Sequence, residues 1–269
     1  MANPLKIVIA GSSGRMGHAL LATVFADAEL VLHGALDRQA SPQLGRDAGE
    51  LLGVVSAVKI TDSIDEALKN ADVLVDFTRP DATMTYLAAC QKYQVKMIIG
   101  TTGFSAEQKL LIETAAKHIA IVFAPNMSVG VTLLINLVQS AAKVLNEGYD
   151  IEVLEMHHRH KVDAPSGTAL RLGEAAAKGL GQELKDCAIY AREGVTGERE
   201  AGKIGFATLR GGDVVGDHTV VFAGIGERVE LTHKASSRDT FARGALRAAK
   251  FLADKKSGLY DMQDVLDLR

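Results

Sequence analysis

The chain has 269 residues, 47% of them hydrophobic and 23% charged, as expected of a globular protein with one large domain or two smaller ones. Its 30 basic and 33 acidic residues leave a formal net charge of −3, so no global field recommends nucleic acid or an anionic membrane as partner, and any anion site is local. Cys90 and Cys187 are too few for a disulfide framework or a cysteine zinc site, no apolar run approaches the roughly 20 residues of a membrane span, and "MANPLKIVIAG" lacks a signal-peptide core; a cytoplasmic protein is expected.

From Lys6 to about Phe123, β-rich apolar runs ("IVIA", "LVLHGAL", "VLVDF", "VKMIIG", "IAIVFA") alternate with segments of helical spacing such as "SIDEALKNA" and "DATMTYLAACQKY". That alternation predicts an α/β unit with a parallel sheet and helices on both faces. After Asn126 the pattern changes. A long helical segment, "SVGVTLLINLVQSAAKVL", precedes β-like "DIEVLEM", a helix near "TALRLGEAAAKGL", and then "AIYARE", "KIGFATLR", "HTVVFAG" and "RVELTHKA". These predict an antiparallel or mixed sheet with helices on one side, an α+β unit. The final "SSRDTFARGALRAAKFLADK" reads as a helix with Ser236 or Ser237 near its N-cap, free to pack back on the first unit.

Gly11, Gly14 and Gly17 lie between the first strand and an amphipathic helix. In this setting the first glycine permits a tight turn, the second lets backbone approach a pyrophosphate, and the third lets helix pack closely on strand. Glycine spacing alone is a weak signal, since any α/β turn can be glycine-rich. Asp37, twenty positions after Gly17, strengthens it: a carboxylate there accepts hydrogen bonds from an adenosine ribose. Arg38 fits either a 2′-phosphate or a solvated surface arginine, so NADH and NADPH both stay open. "DFTRP" (Asp76 to Pro80) and "GTTGF" (Gly100 to Phe104) end later strands facing the same crevice, and their hydroxyls suit a nicotinamide ribose or a substrate edge as well as ordinary turns.

The densest chemistry is "EMHHRHKVDAPSGTA", Glu155 to Ala169. His157 and Lys161 would lie on one side of an extended strand, or at i and i+4 of a helix, so that a proton carrier and a fixed cation cooperate in either case. A metal site made of His157, His158 and His160 is disfavoured, because adjacent strand side chains diverge and Arg159 and Lys161 repel a cation. "PSGTAL" follows: Ser166 and Thr168 offer hydroxyls, and Gly167 close backbone approach, at a helix start suited to a carboxylate or phosphate, although Ser166 also fits as a plain N-cap.

This run is similar to the signature of the dihydrodipicolinate reductase family. "AGSSGRMG", "VDFTRP", "IIGTTGF", "NMSVGV", "REGVTGER", "GFATLRGGD" and "LTHKASSRDTF" also occur in the family's order, over nearly the whole chain. The resemblance implies a Rossmann-type domain at 1–127 completed by the segment 238–269, with a central mixed-sheet domain at 128–237 that binds substrate and makes a homotetramer. It implies reduction of a cyclic dicarboxylate by NADH or NADPH in lysine and diaminopimelate biosynthesis. His157 would be the proton donor and Lys161 its partner, with His158, Ser166, Gly167, Thr168 and Thr102 at the substrate carboxylates. Gly11, Ser12, Ser13, Gly14, Arg15 and Met16 would wrap the pyrophosphate, and Asp37 and Arg38 would meet the adenosine ribose. Phe77, Gly100, Thr101, Thr102, Ala124, Pro125, Asn126 and Met127 would serve the rest of the cofactor. Some members carry glutamate at the position of Asp37, and alanine and glycine at those of Ser12 and Ser13, which bears on coenzyme preference. Two domains also suggest hinge closure over ligands. Two rival readings remain open from the residues: a redox-sensing nucleotide-binding module without chemistry, which leaves Glu155 to Thr168 idle, and another two-domain dehydrogenase.

Overall fold

The computed structural model describes residues 3–269 and divides into two compact units, the described residues up to Val129 together with Arg238–Arg269, and Gly130–Ser237. In the first unit, strands β1 (Leu5–Ala10), β2 (Leu30–Leu36), β3 (Ile60–Thr61), β4 (Val73–Asp76), β5 (Lys96–Ile99) and β6 (Ala120–Phe123) are joined through helices α1 (Arg15–Phe25), α2 (Ile64–Leu68), α3 (Pro80–Tyr93) and α4 (Ala106–Ala115). After the second unit the chain returns with α8 (Asp239–Phe251), β12 (Gly258–Tyr260) and α9 (Met262–Val265). All seven strands are parallel, in the order β12-β6-β5-β4-β1-β2-β3.

The continuous apolar runs follow from burial on both faces. Ile7 and Ile9 join a core with Leu20 and Leu21 of α1 and Ala245 and Ala249 of α8, whereas Val8 and Ala10 face a second core with Leu87 and Cys90 of α3 and Ile112 of α4. Strand order reverses between β1 and β4, which opens a crevice beyond their carboxyl ends. The alternation of apolar runs predicts five of these strands; β3 and β12 are two and three residues long, too short to show a period.

The second unit has the sheet β11-β10-β7-β9-β8, formed by β7 (Asp150–His157), β8 (Ala188–Ile189), β9 (Ile204–Arg210), β10 (Gly216–Ala223) and β11 (Arg228–Ala235). β10 is antiparallel to both neighbours, while β7 and β8 run parallel to β9, so the sheet is mixed as expected. Helices α5 (Val129–Val144), α6 (Gly167–Gly179) and the short α7 (Leu184–Cys187) supply its other layer. Along β7 the odd positions Ile151, Val153, Glu155 and His157 are all buried. The first two join Val138, Leu172, Phe206, Val220 and Phe222 in one core.

Two expectations need correction. The N-cap of α8 is Arg238, without a side-chain cap bond, so the helix begins later than a serine cap at Ser236 or Ser237 would place it. Of "AIYARE" only Ala188–Ile189 is strand, because Arg192 turns away to pair with both carboxylate oxygens of Glu152 at 2.9 and 2.8 Å. Among the described residues no helix is long and apolar enough to cross a membrane.

Candidate active site

At the end of β1 the chain turns at Gly11, whose φ of +68° lies in the left-handed region that favours glycine. The Gly14 amide donates to the Gly11 carbonyl at 2.9 Å, and Gly14 then becomes the N-cap of α1. At Gly17 a Cβ would stand 2.3 Å from the Gly11 carbonyl oxygen, so the start of α1 packs on the loop only because there is no side chain there. The result is a cleft of about 440 Å³ at a helix N-terminus, whose amide donors and positive dipole end suit a phosphate. Gly11, Gly14, Arg15, Met16, Phe77, Gly100, Pro125, Asn126 and Met127 line it, all residues that the family resemblance assigns to the cofactor. Arg238 and Phe241 of the returning segment line it too, and sequence reasoning missed them. The available signal was an arginine directly ahead of a helix in "SSRDTF".

The remaining assigned residues are placed differently. Ser13 donates its hydroxyl to Oδ2 of Asp37, Ser41 donates to the same oxygen at 3.1 Å, and the Arg38 amide donates to Oδ1 at 2.8 Å. Asp37 is thereby tied to the glycine loop at the end of β2, with the Arg38 side chain exposed beside it. Ser12 is fully buried and gives its amide to the Leu36 carbonyl at 3.0 Å, beneath the loop rather than on its surface. Ala124 and Thr101 are buried and Thr102 is exposed. The hydroxyl expected from "DFTRP" faces inward. Thr78 Oγ1 donates to buried Asp76 at 2.6 Å and Thr83 Oγ1 at 2.5 Å, because a carboxylate removed from water needs donors. Burial pushes the Asp76 carboxyl above its ordinary range, and these hydroxyls oppose the shift.

In the second unit β7 ends at His157 and the chain enters a turn in which the Lys161 amide donates to the His158 carbonyl at 3.1 Å. Neither the extended strand nor the helix considered for Lys161 is formed. Lys161 Nζ instead donates to Asp163 Oδ1 at 2.8 Å. Burial raises the Asp163 carboxyl, but Lys161, the Asp163 backbone amide and Arg210 together hold the group below its ordinary value. His158 is half-buried while His157 is buried, so the two rings part as neighbours on a strand must.

His157 does not stand alone. Its Nδ1 donates to Glu155 Oε2 at 2.5 Å, and the Glu155 side chain is only 1% exposed. Arg210, paired with His157 in the β7–β9 register, clamps that carboxylate at 2.8 and 2.9 Å, and the Ser166 amide donates to it at 3.0 Å. Burial raises the Glu155 carboxyl, yet Arg210, His157 and Ser166 together hold it below its ordinary range. Ser166 is the N-cap of α6: its Oγ accepts from the Ala169 amide at 3.1 Å and meets His218 Nε2 at 3.0 Å. Burial pushes His218 down to about 4, so this ring is neutral, and it stands edge-on to His157 with centroids 5.1 Å apart. At Gly167, the first residue of α6, a Cβ would touch nothing within 4 Å, so no packing in the chain demands glycine there. A buried histidine held by one nitrogen thus adjoins a capped helix start, with Lys161 and Arg210 at hand. Glu155, Arg210 and His218 escaped sequence reasoning. The signal for Glu155 was its place in the apolar phase of "DIEVLEMH", where a carboxylate must find buried partners.

Comparison with known proteins agrees with both units. Residues 5–127 match the family described as "Dihydrodipicolinate reductase, N-terminus", and residues 130–266 match "Dihydrodipicolinate reductase, C-terminus". A 4-hydroxy-tetrahydrodipicolinate reductase of Nitrosospira multiformis is 63% identical over 98% of both chains. A relative of the same name from Laribacter hongkongensis is 62% identical, covering 98% of this chain and 99% of its own. Among solved structures, a dipicolinate-bound dihydrodipicolinate reductase from Paenisporosarcina sp. TG-14 superposes with a TM-score of 0.75 at 23% identity, over 97% of this chain and 99% of that one, which supports the fold.

Proposed function

Because the chain belongs to the dihydrodipicolinate reductase family, we propose that it reduces 4-hydroxy-tetrahydrodipicolinate to tetrahydrodipicolinate with a reduced nicotinamide dinucleotide, the step that serves diaminopimelate and lysine biosynthesis. The observation that carries the chemical part of this reading is the buried His157, fixed by Glu155 beside the start of α6.

The glycine cradle of α1 fits a dinucleotide pyrophosphate, with Arg15, Phe77 and Asn126 along the cleft and Asp37 at the ribose end. Bound there, the nicotinamide supplies the hydride. His157 gives the proton from Nε2 where charge builds in the conjugated ring. Ser166, Gly167 and Thr168 at the start of α6, with Lys161 and His158, receive the two carboxylates; an ammonium beside them offsets charge that grows in the transition state. Thr102 of the first unit is assigned to the substrate by the resemblance alone. NADH and NADPH are both accepted candidates: Asp37 favours a free ribose hydroxyl, while Arg38 offers a cation for a 2′-phosphate.

A homotetramer is part of the proposal. The face of the second sheet opposite its helices carries Leu154 and Leu209, 36% and 47% exposed, together with half-buried Met156 and Val221. An apolar sheet face of this kind suits burial against another copy. The cytoplasm is the proposed compartment.

The test is loss of reduced-nicotinamide absorbance with substrate generated in situ from pyruvate and aspartate semialdehyde by the preceding synthase, with NADH and NADPH run in parallel. Oxidation that depends on the synthase is the expected result, and dipicolinate should inhibit it competitively. No oxidation by a protein that binds both nucleotides would return the weight to a sensing module or a different dehydrogenase.

A further inference from the structure

We infer that Glu155 is a positioning residue for the reaction: clamped by Arg210, its carboxylate holds His157 through Nδ1, so that Nε2 alone carries the transferable proton. This rests on the proposed role of His157 as proton donor.

β7 alternates, and its buried phase runs Ile151, Val153, Glu155, His157. The first two enter the apolar core, so the third is a carboxylate on a face that begins as core and turns polar only at Glu155 and His157. Left unpaired there, such a charge is strongly unfavourable. The neighbouring strand and the start of α6 satisfy it completely. Oε2 accepts from His157 Nδ1 at 2.5 Å and Arg210 Nη1 at 2.8 Å, while Oε1 accepts from the Ser166 amide at 3.0 Å and Arg210 Nη2 at 2.9 Å. Arg210 is itself anchored, through Nη2 to the Asp163 carbonyl at 2.7 Å.

Two consequences follow from four donors meeting two oxygens. First, a carboxylate that accepts at every side fixes the proton on Nδ1 of a neutral His157, as a ring nitrogen facing an acceptor must carry hydrogen. When Nε2 gives up its proton, the ring is left in the tautomer that the site already supports. Second, the Arg210 guanidinium balances the Glu155 charge, so the ring faces a neutral pair rather than a bare anion. The other groups around it are uncharged His218 from β10, whose cross-strand neighbour on β11 is His233, and the Lys161–Asp163 pair in the turn. Glu155 also joins the proton donor to the substrate end of the site, because the Ser166 amide on its other oxygen belongs to the cap of α6.

Glu155→Gln keeps the shape but offers one acceptor and two donor hydrogens to four donors. With the amide oxygen toward Ser166 and Arg210 the helix cap survives, and the NH₂ then faces His157. The ring must accept at Nδ1 and carry its hydrogen at Nε2 when neutral, which leaves it unable to shed that proton.

The deciding experiment is long-range ¹H–¹⁵N correlation NMR of the full-length wild-type protein above the titration of its histidines, with His157 assigned by its absence in His157→Gln. The Nδ1–H tautomer is expected; the Nε2–H tautomer would overturn the inference whether or not any variant folds. In Glu155→Gln the tautomer should switch and turnover should fall about 10²-fold, with dipicolinate inhibiting at an unchanged concentration. If His157→Gln is impaired while Glu155→Gln turns over normally, the positioning role is wrong and the proton-donor reading stands. If His157→Gln itself turns over normally, both fall.

Discussion

In the glycine loop of the proposed nucleotide cleft the working surface is backbone: Gly14 and Gly17 matter for the side chains they lack, and the atoms a Cβ would meet there, in Gly11 and Ser12, are only a few residues away. In the histidine cluster the working surface is side chains drawn from distant segments. Arg210 is 55 residues from Glu155, and His218 is 52 from Ser166. A loop of the first kind is written in nearly consecutive residues and is fragile to added volume, although distant Phe77, Gly100, Asn126, Arg238 and Phe241 complete the cleft around it. A site of the second kind exists only once the β7, β9 and β10 strands have paired, and it is fragile to the loss of a single donor or acceptor.

The largest effect is expected from adding atoms where the first site has none. Gly17→Val places carbon within 2.3 Å of the Gly11 carbonyl and 2.5 Å of the Ser12 carbonyl, both backbone atoms that cannot swing aside. Nucleotide binding should be lost altogether, with a stability cost of about 1–3 kcal/mol, read by calorimetric titration with NADH and by thermal unfolding. Retained binding would mean that the start of α1 is not the pyrophosphate cradle.

In the second site the change is subtractive. Lys161→Met keeps much of the side-chain bulk and removes a charge-assisted donor, worth about 1.5–3 kcal/mol. Turnover and substrate affinity together should fall by roughly ten- to a hundredfold, measured as kcat and KM. An effect on neither would reduce Lys161 to a partner of Asp163 alone.

An effect on stability rather than on turnover appears with pH. The unfolded His218 takes its proton at 6.5 and the folded one only at about 4, so the unfolded state binds more protons across that interval. Stability is unaffected by this residue above pH 6.5 and falls as pH drops from 6.5 to 4, by roughly 3 kcal/mol in all. His233 is shifted in the same direction by burial and adds a remainder. Glu155, whose carboxyl is held low, keeps its contribution until the pH falls below its ordinary 4.5, so it leaves the upper part of the window unchanged. His218→Gln should flatten the unfolding profile between pH 6.5 and 4 in chemical denaturation. A slope identical to that of the wild type would mean the buried ring is not the cause.

This contrast explains what could be read in advance. The parallel sheet, the mixed sheet and the glycine loop follow from local periods and spacings, and "HHRHK" with "PSGT" marks the second site because its residues are adjacent. The clamp on Glu155 is a matter of register: Arg210 faces His157 across β7 and β9, and no spacing in the sequence states which strands will pair. The local geometry at Lys161 is illegible for a similar reason, since the turn closed by the His158 carbonyl is neither the extended strand nor the helix that the spacing allows. Arg238 and Phe241 reach the cleft only because the chain returns to the first unit after a second domain's length.

Nucleotide binding and proton transfer are thus assigned to different parts of the chain. NADH affinity and turnover measured on one preparation of His157→Gln test that division. Wild-type affinity for NADH is expected, with turnover lower by about 10²- to 10⁴-fold. Turnover equal to the wild type, or loss of NADH binding along with it, would contradict that division.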